Sequence, residues 1–176
     1  MNPIRLSGMA ALLLPAMLAA QAPANPASDA MRMIAGRFSK NLMAAADQVP
    51  AAKLSYKPTK AQMTFGHIWA HLTEGNYGFC SAIGGVAAPK VDVPKPTASK
   101  DALVSALNAS FAFCHDALAK ATDAGLGEQV DMGFMNGTRA LAEFIYIDDL
   151  SDHYSQVANY MRLNGMLPPT AQKRSM

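Results

Sequence analysis

The chain has 176 residues, with 15 Lys/Arg, 13 Asp/Glu and 4 His, for a formal net charge of +2. Hydrophobic residues make up 51% and charged residues 16%, which excludes a disordered chain and supplies enough apolar side chains for one domain with its own core. With no Lys/Arg run interleaved with aromatics, there is no electrostatic footprint for nucleic acid.

Residues 1–24, "MNPIRLSGMAALLLPAMLAAQAPA", carry one charge, Arg5, followed by an apolar run through Ala20. Small residues follow, and Leu18-Ala19-Ala20 or Ala22-Pro23-Ala24 could precede cleavage, so the segment reads as a secretory signal peptide rather than part of the fold. The run is short for a bilayer span and Pro15 interrupts it; an uncleaved anchor is the alternative reading. Cleavage after Ala24 leaves a nearly neutral domain with no further apolar stretch long enough to span a membrane, destined for the periplasm or the exterior.

Proline divides the rest of the chain. Pro50 and Pro58 mark one loop, Pro89, Pro94 and Pro96 a second, and Pro168-Pro169 a tail. The intervening windows are rich in Ala, Leu and Met, which favours helix. A first helix is predicted from Asp29 to Gln48 with Ser28 as N-cap; Met31, Ile34, Phe38, Leu42 and Ala45 form its apolar stripe. A second runs from Phe65 to Ile83, capped by Thr64 and stopped by Gly84-Gly85. A third follows Ser99 and reaches about Ala121. A glycine-spaced loop, containing Gly125, Gly127, Gly133 and Gly137, leads to a fourth helix from Thr138 to Asn164. No alternating β-branched run is long enough for a sheet. The expected fold is all-α: a four-helix bundle over residues 25–169, preceded by the signal peptide and followed by an exposed tail, 170–176.

Four polar positions stand out on these helices. His67 and His71 lie one turn apart on the second helix. At about 100° per residue, His71 borders the arc of Ile68, Leu72, Phe79 and Ile83, whereas His67 turns about 40° further toward water. On the fourth helix Asp149 and His153 are also one turn apart and border the arc of Leu150, Tyr154, Val157 and Met161. If these helices are neighbours, His71, Asp149 and His153 form a three-ligand N/O site with positions left open, as catalytic metal sites require. A metal there would acidify bound water and polarise a substrate oxygen. The plainer reading is a helix-surface Asp–His pair and a packed histidine, and spacing alone favours it.

His67, Gln156 and Tyr160 are neighbours that can tune such a site. His115 reads as a core-edge histidine, with a fourth ligand as the alternative. Glu74 and Glu143 read as solvated carboxylates, with a general acid or base role as the alternative. The nine methionines beyond the signal segment read as core filler. Cys80 and Cys114 are the only cysteines; export would allow a disulfide, and two buried free thiols are equally compatible with the sequence.

The segments "FSKNLMAAA", "LSYKPT", "TFGHIWAHLTEGNYGFC" and "HYSQVANYMRLNGMLPP", in this order, resemble the DinB/YfiT-like helical metalloprotein family across residues 29–169. (The family is unrelated to the DNA polymerase of similar name.) The resemblance implies a four-helix bundle, often dimeric, with a three-histidine site for Zn, Ni or Mn. It assigns ligand positions to His71 and His153 and expects a third histidine at 149, where this chain has Asp149. Some relatives are metal-dependent hydrolases or thiol transferases acting on small molecules. The expectation is therefore an exported metal-site protein with hydrolase or transferase activity. Its competitor is a non-catalytic helical module, a homodimer whose metal site has degenerated.

Overall fold

The computed structural model describes residues 24–172, so the signal-peptide reading and the end of the tail lie outside the described residues. Within them are helices α1 (Pro26–Gln48), α2 (Phe65–Gly84), α3 (Lys100–Leu118) and α4 (Arg139–Leu163), with short 3-10 turns at Ala51–Lys53, Asp123–Gly125 and Pro169–Ala171. Three helix starts follow from local chemistry. The side-chain oxygens of Thr64, Ser99 and Thr138 accept the backbone N–H three residues on, at 3.1, 3.3 and 3.2 Å. Glycines in the left-handed region, Gly85 (φ 62°) and Gly165 (φ 72°), turn the chain away after α2 and α4.

α1 departs from expectation. It begins three residues early, at Pro26, because proline's fixed φ and missing N–H suit the first helical turn. Its cap is non-local: the Asp123 carboxylate accepts the N–H groups of Ala27 and Ser28 at 3.0 and 2.8 Å, and the Asn25 side chain accepts the N–H of Asp123 at 3.0 Å. The Ser28 side chain is buried rather than capping. α3 stops at Leu118, short of Ala121.

The predicted glycine-spaced loop contains a small hairpin instead. β1 (Gln129–Asp131) pairs antiparallel with β2 (Asn136–Thr138) in the register Gln129–Thr138, Val130–Gly137, Asp131–Asn136. Only Val130 among these residues is a hydrophobic β-branched strand former, so the alternation signal is absent. Turn chemistry closes the hairpin: Asp131 Oδ1 accepts the Gly133 N–H at 2.8 Å, and Gly133 has φ 84°.

α2 packs along α3 and α4, and α1 along α4 and α3. Leu42, Phe65, Trp69, Leu72, Leu107 and Leu150 are completely buried between them. α2 and α3 approach closely at Gly84, where a Cβ would come within 2.5 Å of the Ala117 carbonyl oxygen. One turn earlier Cys80 and Cys114 are joined as a disulfide, Cα–Cα 5.1 Å. Beside it a buried polar network links three helices. Tyr146 Oη donates to Asn76 Oδ1 (3.1 Å), Asn76 Nδ2 to Ser110 Oγ (2.9 Å), and Ser110 Oγ to the Leu107 carbonyl (2.9 Å). Burial, assisted by Asp149, pushes the Tyr146 phenol upward, so it remains a donor.

Arg139, the first residue of α4, holds that helix against the end of α2. Its guanidinium donates to the Ala82 and Ile83 carbonyls, to the Gly125 carbonyl and to Glu128 Oε2 (2.6 Å). Just before the tail Pro168 is buried; residues 170–172 are exposed, and Tyr154 Oη donates to Thr170 Oγ1 at 2.8 Å. Among the described residues no helix is long and apolar enough to cross a membrane.

Candidate metal centre

Where α2 crosses α4, the side chains of His71, Asp149 and His153 offer three ligand atoms that all lie within 4.8 Å of one another. Asp149 Oδ1 stands 3.6 Å from His71 Nε2 and 3.3 Å from His153 Nε2. The imidazole rings of His71 and His153 meet edge to face, 4.7 Å between centroids. The group is graded in exposure: the side chains are 39%, 21% and 6% exposed for His71, Asp149 and His153, so the opening to solvent is on the His71 side.

The electrostatics follow from this arrangement. Burial alone would raise the Asp149 carboxyl, but the imidazoles of His153 and His71 outweigh it and hold the group down to about 2. Asp149 in turn raises the His71 imidazole, against the opposing effect of burial. Asp149 is therefore a committed anion at neutral pH.

The donor set could hold a divalent cation. Ligand atoms about 2.1 Å from a metal at tetrahedral angles lie about 3.4 Å from one another, and the Asp149–histidine distances of 3.6 and 3.3 Å bracket that value. Although shorter than histidine, Asp149 reaches both imidazoles. Two nitrogens and one carboxylate oxygen suit borderline metals and leave coordination positions for an outside molecule. One element of a mature site is missing. His153 Nδ1 is buried without a hydrogen-bond partner, whereas ligating histidines almost always have that nitrogen anchored.

The other residues singled out by sequence divide clearly. His67 is exposed and lies outside the three-ligand group. Gln156 Nε2 donates to Asp152 Oδ2 at 2.8 Å and so is engaged elsewhere on α4. Tyr160 is buried in an aromatic cluster, edge-on to Phe65 (5.5 Å) and Tyr56 (6.0 Å), with its hydroxyl unpartnered. His115 is not at the core edge: its side chain is 86% exposed and pairs with Asp116. Glu143 is not solvated: it is 6% exposed, and burial raises its carboxyl. Glu74 is exposed, as its position on the helix predicts.

Two hollows flank His71. One, about 430 Å³, is bounded by His67, Glu74 and the Val93–Pro96 loop. The other, about 540 Å³, runs from His71 and Asp149 to Phe79, Ile145 and the hairpin tip at Met132–Phe134. The hairpin wall is not foreshadowed by the sequence pattern; its only signal is the Asp131-x-Gly133 turn.

An all-helical core of four helices, with a His–Asp–His group between the second and the last that could hold a metal ion, defines a helical-bundle protein. The DinB superfamily model matches residues 37–148, and the chain belongs to that superfamily. A DinB-like protein from Bacillus cereus superposes with a TM-score of 0.66 at 18% identity, covering 80% of this chain and 95% of that one. A DinB-like protein from Bacillus subtilis gives 0.62 at 18% identity, covering 81% and 99%. A conserved protein from Enterococcus faecalis gives 0.62 at 17% identity, covering 78% and 96%. At these identities the likeness concerns the fold. No curated protein matches the sequence.

Proposed function

We propose that the protein is an exported metal-dependent hydrolase or transferase acting on a small molecule, with His71, Asp149 and His153 as ligands to Zn, Ni or Mn. The convergence of the three ligand atoms within 4.8 Å carries this reading. A divalent cation supplies Lewis acidity there, lowering the pKa of a coordinated water or thiol. Asp149 contributes the anionic ligand, His153 the buried one, and His71 the one that faces the entry side. The Cys80–Cys114 disulfide supports export, since such bonds persist in oxidising compartments. A homodimer is supported by large apolar side chains left in solvent, Met33 at 71% and Phe144 at 77% exposed.

A second reading, a non-catalytic module with a relict site, is favoured by the unanchored His153 Nδ1 and by the ion pairs that already satisfy Asp149. Metal analysis of the purified mature protein after incubation with Zn, Ni and Mn separates the two. The proposal expects about one equivalent of metal, lost in His71→Ala and Asp149→Ala. Absence of metal in the parent protein would establish the second reading.

A further inference from the structure

The cleft beside the metal centre is polar at one end and apolar at the other. His71 and Asp149 line the first end; Phe79, Met132, Phe134 and Ile145 wall the second. Phe134 stands on the hairpin tip, 64% exposed, and meets Phe79 edge to face at 5.9 Å. With the adjacent Met135, 40% exposed, it forms an apolar patch at the hairpin tip.

The floor is equally specific. Gly75 and Gly78 lie one turn apart inside α2, where glycine is unfavourable relative to alanine. Close helix packing does not explain Gly78, because a Cβ there would meet nothing within 4 Å. At Gly75 a Cβ would touch only Asp149 Oδ2 and Phe79 Cδ2, at 3.9 and 4.0 Å. The missing side chains keep open a flat track leading from the Asp149 carboxylate to the Phe79 ring. Glu74 lies at the edge of this track and disfavours an anionic tail.

We infer that the cleft takes a small molecule with an oxygen or sulfur head at the His71–Asp149–His153 centre and an uncharged flat ring laid on Gly75 and Gly78 against the paired Phe79 and Phe134 rings. This inference rests on the metal reading for the head and on the cleft alone for the ring. Its volume, about 540 Å³, falls within the ~300–1,000 Å³ of small-molecule sites. Phe134 and Gly78 are thereby specificity determinants.

The test compares benzohydroxamate with acetohydroxamate, two chelators that differ by the ring, binding to zinc-loaded protein in titration calorimetry. Benzohydroxamate is expected to bind about tenfold more tightly. Gly78→Leu fills the track and Phe134→Ala removes the wall; both lose the preference while keeping the acetohydroxamate affinity and the zinc content. Both positions are solvent-exposed. Equal affinity in the parent protein, or a preference that survives both substitutions, overturns the inference. If no zinc binds, or acetohydroxamate does not bind to the loaded protein, the metal reading fails and the ring subsite is judged separately. Benzyl alcohol should then shift the methyl resonance of Met132 in metal-free protein and not in Gly78→Leu; no shift in the parent overturns the subsite as well.

Discussion

Reducing the Cys80–Cys114 bond removes a covalent link between α2 and α3 across a sequence separation of 34 residues. Opening a loop of that length restores chain entropy to the unfolded state worth about 4 kcal/mol on the loop-closure scale. The bond lies between side chains 0% and 3% exposed, so a reductant reaches it only when the bundle opens. Urea unfolding curves with and without a phosphine reductant measure the difference. For a domain of this size the midpoint should fall by about 2 M, with m near 2 kcal/mol/M. The melting temperature should fall by roughly 8–16 °C. Coincident curves, together with two titratable thiols in the unreduced denatured protein, would refute both the link and the reasoning built on it.

Asp149→Ala should weaken zinc binding by at least about 100-fold, because losing even an outer partner of a ligand costs 10–100-fold; calorimetric titration checks this. Asp149→His, which restores the expected histidine, should retain binding and shift selectivity toward Ni and Zn over Mn, read by competition between the metals. Glu143 gives a pH prediction. Burial, with help from Asp123, raises its carboxyl against the pull of Arg32 and Arg139. A raised acid stabilises the fold fully below its unfolded value, 4.5, and loses that contribution as pH climbs through the folded value. Glu143→Gln should therefore gain in melting temperature relative to the parent between pH 4.5 and 7.5; a constant or reversed difference would show the carboxyl is not raised. Tyr146→Phe should cost about 1–3 kcal/mol in urea unfolding, because it strands the buried Asn76 Oδ1.

Features that depend on neighbours in sequence were legible. Thr64, Ser99 and Thr138 announce their helices because a cap reaches only three residues. Helical direction distinguished His71 from His67 and brought Asp149 and His153 to one face. The start of α1 was not legible, because the group that completes it, Asp123, lies 95 residues beyond Ser28. Glu143 and His115 were misplaced for a related reason: at the border of an apolar stripe, exposure depends on what the next element covers. The hairpin was hidden because turn hydrogen bonds, not strand formers, hold it.

The Arg139 contacts have a consequence for the metal centre, although the guanidinium never touches it. From Arg139 to Asp149 is ten residues of α4, about 15 Å, and from Ile83 back to His71 is twelve residues of α2, about 18 Å. Two rigid rods joined near one end act as a pair of callipers, and a rotation of about 4° at the joint displaces the far points by about 1 Å. That is enough to change a coordination distance into a gap. Nearer the site the Tyr146–Asn76 bond opposes such a rotation, so the spacing of His71 and Asp149 is held by that bond together with the carbonyls that Arg139 grips.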